Sequence, residues 1–145
     1  MRAAVRPRYE TAADLTNEAT FEQLMLDNFG AVAHKLPVSY HVDYLVIADT
    51  GPVWVEFKRR RHTRGTYSDI ILSALKWWHA TSLADRTGAS FAFVVQWDDC
   101  IGFCPWSAAK PWVPELDWGG RTKATRDTAD IEPIVRLPVD RFMEL

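Results

Sequence analysis

The sequence has 145 residues, a formal net charge of −2, 48% hydrophobic residues and 25% charged residues. This length supports one domain with a substantial core and is too short for two independent domains, so we expect a single domain over residues 1–145. We find no apolar run long enough to span a membrane and no signal peptide, and we therefore expect a cytoplasmic protein without a membrane partner.

The first predicted element is an amphipathic helix. Residues 1–14 contain scattered arginines and a proline and are expected to form an irregular arm. The helix is predicted to begin near Thr16 and to end at Gly30, because Thr favours the helix N-cap and Gly the position after the last turn. Glu18 in the first turn and Glu22 one turn later border its apolar face.

A three-stranded antiparallel unit is predicted to follow the helix. Residues 31–36 form a short strand, and residues 41–58 form a hairpin around the turn residues Asp49, Gly51 and Pro52. The predicted register places Asp43 opposite Lys58.

The alternation of side chains along the hairpin predicts two different faces. One face is expected to be core, and the other is expected to be apolar near the turn and polar away from it. The predicted core face carries Val42, Tyr44, Val46, Val53, Val55 and Phe57. The second face carries Asp43, Leu45, Trp54, Glu56 and Lys58.

Two carboxylates and one ammonium group converge on the polar part of the second face. Asp43 and Glu56 supply oxygen ligands that suit Mg²⁺, and Lys58 can position a water molecule or offset developing negative charge. The alternative is structural: Asp43 and Lys58 form an ordinary cross-strand ion pair, and Glu56 is a solvated strand residue.

The rest of the chain alternates between helix and strand. A helix is predicted over residues 68–85, followed by a buried strand over residues 90–97, parallel to the second hairpin strand, and a short edge strand over residues 101–104. The core stripe of the helix is predicted to comprise Ile70, Ile71, Ala74, Leu75 and Trp78. Residues 105–130 are rich in proline and tryptophan and are expected to form a long loop before a last strand over residues 131–137.

Basic residues lie close to the predicted site although the whole chain is weakly acidic. An overall charge of −2 counts modestly against a nucleic-acid enzyme, but a local basic group can bind phosphates. Candidate phosphate-binding residues are Arg59, Arg60, Arg61, Arg64, Lys76, Arg121, Lys123 and Arg126. An exposed tryptophan of the long loop could stack on an unpaired base, or the loop tryptophans could cover the core or a dimer interface.

The hairpin pattern, Val42-Asp43 followed by Glu56-Phe57-Lys58, resembles the core of the PD-(D/E)XK nuclease superfamily. Val42 stands where the family has proline, which leaves the acidic ligand in place. The element order over residues 16–97 matches the family's αβββαβ core. The resemblance therefore implies an α/β (α+β) restriction-endonuclease-like fold with a mixed central sheet flanked by helices.

The resemblance also implies a function and roles for individual residues. It implies a Mg²⁺-dependent DNA endonuclease, most like the small archaeal-type or phage Holliday junction resolvases, with Mn²⁺ able to substitute. Asp43, Glu56 and the Phe57 backbone carbonyl would bind the metal, Lys58 would orient or activate water, and Glu18, with Glu22 as runner-up, would complete the site. Lys76 lies in a helix position where the family often has glutamine.

Cleavage of a four-way junction needs two matched cuts, so the expected partners are branched DNA and a second copy of the chain in a homodimer. A phage-encoded protein of this kind would act in the host cytoplasm. Two alternatives remain open. A single-strand or end-processing nuclease would use the same residues, and a non-catalytic DNA-binding or assembly protein could use the same scaffold.

Overall fold

The structure is a computed structural model that describes the backbone of residues 12–120 and 131–145 and the side chains of residues 19–119 and 132–145. The helices are α1 (Ala12–Phe29) and α2 (Ala74–Thr87). The strands are β1 (Val32–Lys35), β2 (Tyr44–Ala48), β3 (Gly51–Arg59), β4 (Asp69–Ser73), β5 (Ser90–Gln96), β6 (Ile101–Trp106), β7 (Glu115–Gly120), β8 (Ile131–Pro138) and β9 (Met143–Glu144).

The main sheet has six strands in the order β1-β2-β3-β5-β6-β9. The β1, β2 and β3 strands are antiparallel neighbours, whereas β3 and β5 are parallel and are connected through β4 and α2. The predicted mixed sheet flanked by helices is therefore confirmed. No helix in the described parts of the chain combines the length and the apolarity needed to cross a membrane.

The first helix covers one face of the main sheet. Phe21 is 1% exposed, and its ring lies 4.8 Å from the rings of both Tyr44 and Phe57, measured between centroids. Gly30 directly follows α1 as predicted, and its φ of +59° lies in the left-handed region that glycine adopts without strain. The helix begins at Ala12, earlier than the predicted Thr16. Of the predicted arm, residues 12–14 are therefore helical and residues 1–11 lie outside the described chain.

The other face of the main sheet packs against α2 and a second sheet that the sequence did not predict. This second sheet has three strands in the order β4-β8-β7. Its inward-facing Leu72, Val135 and Leu137 join Trp77 and Phe93 in one buried cluster. Glu56 thus lies on a sheet face that is covered by protein.

The helix predicted over residues 68–85 was wrong in its first part. Asp69–Ser73 is strand β4, and its residue Ile71 pairs with Arg136 of β8. The predicted stripe was also wrong, because Leu75 and Trp78 are exposed, while Trp77 is buried together with Ala74, Ala80 and Ala84. Helical spacing fitted Ile70 and Ile71, but β-branched residues also suit strands, and a distant strand provided the partner.

The predicted long loop was wrong in part. Strand β6 extends to Trp106, and Glu115–Gly120 forms β7, which pairs with β8. Strand β6 is not the edge of the main sheet, because its residues Gly102 and Phe103 pair with β9.

We expect Phe21→Ala to lower the free energy of unfolding by about 3–5 kcal/mol, because it removes an aromatic side chain that is buried between α1 and the sheet. Leu26→Ala on the exposed side of the same helix is the matched control and should change it by less than about 0.5 kcal/mol. Chemical denaturation measures both values. Similar losses in the two variants would contradict the packing of α1 on Tyr44 and Phe57.

Candidate active site

The β2–β3 hairpin turns through two residues. Ala48 pairs with Gly51 and Leu45 pairs with Trp54, so Asp49 and Thr50 form the tip. The predicted pairing of Asp43 with Lys58 was wrong by two residues. A shift of two residues keeps every side chain on its face, because side chains alternate with a period of two.

Asp43 lies just beyond the end of the β2–β3 ladder. Its backbone N–H donates to the Val55 carbonyl at 3.1 Å, and its carboxylate Oδ2 accepts from the Phe57 N–H at 2.9 Å. Asp43 is therefore bonded to both residues that flank Glu56 in the sequence. The Asp43 carboxylate replaces the missing β2 partner of β3, and this bond fixes it beside Glu56.

The residue before Asp43 does not follow the predicted alternation. Val42 packs with Trp54, on the face opposite Tyr44 and Val46. The strand pattern fails here because the chain turns at His41, whose φ of +59° is left-handed, before β2 begins at Tyr44.

Glu56 is wholly buried and is held by two lysines. Its side chain is 1% exposed, and its Oε1 accepts a hydrogen bond from Lys76 Nζ at 2.6 Å. Lys58 Nζ lies 3.4 Å from the same oxygen. The structural alternative of a solvated Glu56 is thus excluded.

Burial and neighbouring charges shift the pKa values of Glu56 and Lys76. Burial raises the pKa of the Glu56 carboxyl above its ordinary value, and the charge of Asp43 raises it further, while Lys76 and Lys58 lower it. Burial alone would lower the pKa of Lys76, but Glu56 and Asp43 outweigh it and raise that pKa. The ammonium of Lys76 is therefore a stable partner for the buried carboxylate.

The oxygen atoms of this site fit a divalent metal ion. Glu56 Oε2 is buried and has no hydrogen-bond partner, which is a costly state for a carboxylate oxygen that no cation or donor satisfies. Carboxylate oxygens are the ligands that Mg²⁺ prefers. Among the described side chains of residues 19–119 and 132–145, no three of Asp, Glu, His or Cys are grouped to hold a metal.

The sequence predicted a third carboxylate ligand from α1, either Glu18 or Glu22. Glu22 is half-buried on α1 and does not join Asp43 and Glu56 in such a group. The backbone of Glu18 lies in α1, but its side chain is outside the described part of the chain.

Most arginines between residues 59 and 64, at and just after the end of β3, have structural contacts. Arg59 pairs with Asp98 at 2.6 Å and donates to the carbonyls of Arg60 and Gln96. Arg60 donates to the Ile71 carbonyl at 3.3 Å, and burial lowers its pKa.

The last arginine of this run holds the C-terminal segment. Arg64 donates to the carbonyls of Val139 at 3.2 Å and Phe142 at 2.5 Å. Arg61, by contrast, is exposed. Of the four predicted phosphate-binding arginines between residues 59 and 64, Arg61 has the most accessible side chain.

The remaining predicted basic residues fall into two groups. Lys76 lies in the first turn of α2 and points to Glu56. Arg121, Lys123 and Arg126 lie outside the described residues.

Sequence reasoning missed one residue and one contact of this site. Lys35 Nζ lies 3.7 Å from Asp43 Oδ1, and Lys35 pairs in register with Tyr44, the residue next to Asp43. A predicted register between β1 and β2 could therefore have indicated that Lys35 lies beside Asp43. The Lys76 contact depends on how α2 packs, which local spacing does not reveal.

Residues 4–145 match the protein family described as "Phage putative PDDEXK endonuclease". The chain belongs to this PD-(D/E)XK nuclease family. The match covers nearly the whole sequence, including the hairpin that carries Asp43 and Glu56.

The chain is also similar to the solved structure of Hjc, a Holliday junction resolvase from the archaeal hyperthermophile Archaeoglobus fulgidus. The two share a TM-score of 0.53 and 14% sequence identity over 87% of this chain and 93% of that chain. This similarity confirms the resolvase-like fold. No curated protein sequence matches the chain.

The raised pKa of Glu56 predicts a pH-dependent effect of Glu56→Gln on stability. Above about pH 4.3 the unfolded chain releases this proton, while the folded protein releases it only at higher pH, so ionisation of the native carboxyl lowers the free energy of unfolding as the pH rises. We expect the free energy of unfolding of Glu56→Gln, minus that of the natural chain, to increase between pH 4 and pH 7. Urea denaturation in the presence of EDTA measures this difference. A difference that stays constant or decreases would contradict the raised pKa of the Glu56 carboxyl.

Proposed function

We propose that this family member is a metal-dependent DNA endonuclease that hydrolyses phosphodiester bonds, with Mg²⁺ as the ion and Mn²⁺ as a substitute. The observation that carries the proposal is the buried Glu56 Oε2 atom without a partner, beside the fixed carboxylate of Asp43. The family match supports the nuclease activity.

Asp43, Glu56 and the Phe57 carbonyl would hold the metal. A strand residue directs its N–H and C=O to the same edge, and the Phe57 N–H already points to Asp43, so its carbonyl faces the same side. Glu18, with Glu22 as the alternative, would supply the further carboxylate. The bound ion would polarise the scissile phosphate and lower the pKa of a water molecule.

Lys58 is the proposed partner of the attacking water. Its side chain is 34% exposed and its Nζ lies 3.4 Å from Glu56 Oε1, so the ammonium group borders the carboxylates and remains accessible from solvent. A cation at this position can orient water and stabilise the negative charge that develops on the phosphate. Lys35, beside Asp43, would add positive charge at the same edge.

We propose branched DNA, and four-way junctions in particular, as the substrate. The resolvase-like fold supports this choice. The phage family supports action on DNA inside the host cell. Arg61 would contact backbone phosphates, and Arg59, Arg60, Arg64, Arg121, Lys123 and Arg126 are the further candidates from the sequence.

The β7–β8 hairpin carries an exposed aromatic side chain. Ser73, the last residue of β4, pairs with Ile134, so the earlier residues of β8 continue beyond the end of β4. Glu132 accepts a hydrogen bond from the Ser73 hydroxyl at 3.2 Å. On the neighbouring strand Trp118 is 66% exposed, which makes it available to stack on an unpaired base.

We expect the chain to cut a labelled four-way junction with Mg²⁺ and not with EDTA, and to cut linear duplex and single strands more slowly. Glu56→Gln and Lys58→Ala should each reduce the cleavage rate at least about 100-fold, because they remove a metal ligand and the cation beside the attacking water. Gel analysis of the products measures these rates.

Lys110→Ala is the control, because Lys110 is an exposed lysine in the turn after β6. Glu56→Gln or Lys58→Ala rates equal to that of Lys110→Ala would reject the nuclease site. A preference for ends or single strands would reject only the junction substrate and favour an end-processing nuclease. Junction binding without cleavage would favour an assembly role.

Two matched cuts across a junction require two sites related by a two-fold axis, so we propose a homodimer. We expect analytical ultracentrifugation to give about twice the 16.6 kDa mass of the chain for the free protein, and the mass of the junction plus two chains for the complex. A species with one chain per junction would contradict paired cleavage.

A further inference from the structure

The contact between Lys76 and Glu56 joins a helix to the candidate site. Lys76 Nζ lies 2.6 Å from Glu56 Oε1, which is shorter than the 3.4 Å between Lys58 Nζ and the same atom. Both ammonium groups approach one oxygen of the carboxylate. The other oxygen, Oε2, is buried and has no hydrogen-bond partner.

We propose that Lys76 is a positioning residue: its ammonium group fixes the Glu56 carboxylate so that Oε2 is free to bind the metal. This inference rests on the metal-dependent activity proposed above. It assigns Lys76 a role different from the phosphate contact that its sequence position suggested.

The packing of α2 makes Lys76 suitable for this role. Ala74 and Trp77, on either side of it in the sequence, are 0% and 5% exposed, so the first turn of the helix is packed against the core. Ser73, directly before the helix, is hydrogen-bonded to Glu132 of β8. The backbone that carries Lys76 is therefore held against the core and β8, and α2 also contacts β3.

The two lysines differ in what they can do for Glu56. Lys58 lies on β3 two residues after Glu56, so it moves with the same strand and adds no second support to it. Lys76 reaches the carboxylate from a separate element and restrains its rotation. This division leaves Lys58 able to face water and substrate.

Two other roles for Lys76 predict different behaviour. If the ammonium group competed with the metal for Glu56, its removal would increase metal affinity. If it contacted a DNA phosphate, its removal would leave metal affinity unchanged and would raise KM alone. A lost positioning contact weakens metal binding, since partners that orient a metal ligand typically contribute 10–100-fold in affinity.

The test measures Mn²⁺ affinity without DNA, by electron paramagnetic resonance of the free ion, in the natural chain, Lys76→Met and Lys76→Arg. Methionine has a similar length but no donor, whereas arginine keeps charged N–H donors. We expect Lys76→Met to bind Mn²⁺ at least about 10-fold more weakly. Lys76→Arg should restore most of the affinity.

Lys110→Met is the matched control and should bind Mn²⁺ as the natural chain does. Circular dichroism checks folding, and Lys76→Ala replaces Lys76→Met if that variant is not folded. Unchanged or tighter Mn²⁺ binding by the variant without a donor would overturn the inference, as would a Lys76→Arg variant that binds equally weakly.

The outcome also separates this inference from the proposed function. A natural chain that binds Mn²⁺ and cuts no DNA would reject the endonuclease, while the comparison of Lys76 variants would still decide the positioning role. A natural chain that binds no Mn²⁺ would overturn both.

Discussion

One buried carboxylate constrains the arrangement of the whole site. Glu56 lies on the central strand of the main sheet, under α2, where an isolated negative charge would be strongly unfavourable. Lys76 and Lys58 offset this charge from one side of the carboxylate. The fold therefore places two cations beside one oxygen of this buried group, while the other oxygen has no hydrogen-bond donor.

The central hairpin and its chemistry could be predicted from the sequence because they depend on local patterns. Alternating apolar residues and the turn at Asp49 indicate the two strands without any long-range contact. The error in register, two residues, equals one full period of the strand. The observed register therefore places Asp43 beside Glu56 instead of opposite Lys58. Trp54, Glu56 and Lys58 still lie on the predicted face of the sheet.

The second sheet could not be predicted because its strands find their partners far along the chain. Ile70 and Ile71 fit a helical stripe as well as a strand, and β8, more than sixty residues later, decides between them. The same limit applies to the basic run. Arg59 and Arg64 look like free phosphate ligands in the sequence, but Asp98 and the carbonyls of the C-terminal segment occupy their guanidinium groups.

Strand β7 lies at one edge of the three-stranded sheet, and β8 separates it from β4. The side chains of Leu116 and Trp118 on β7 are 61% and 66% exposed. Substitutions on this outer strand therefore reach the strand that carries Glu56 only through β8 and the core beneath it. The edge of the second sheet can vary in sequence while the buried carboxyl group keeps its surroundings.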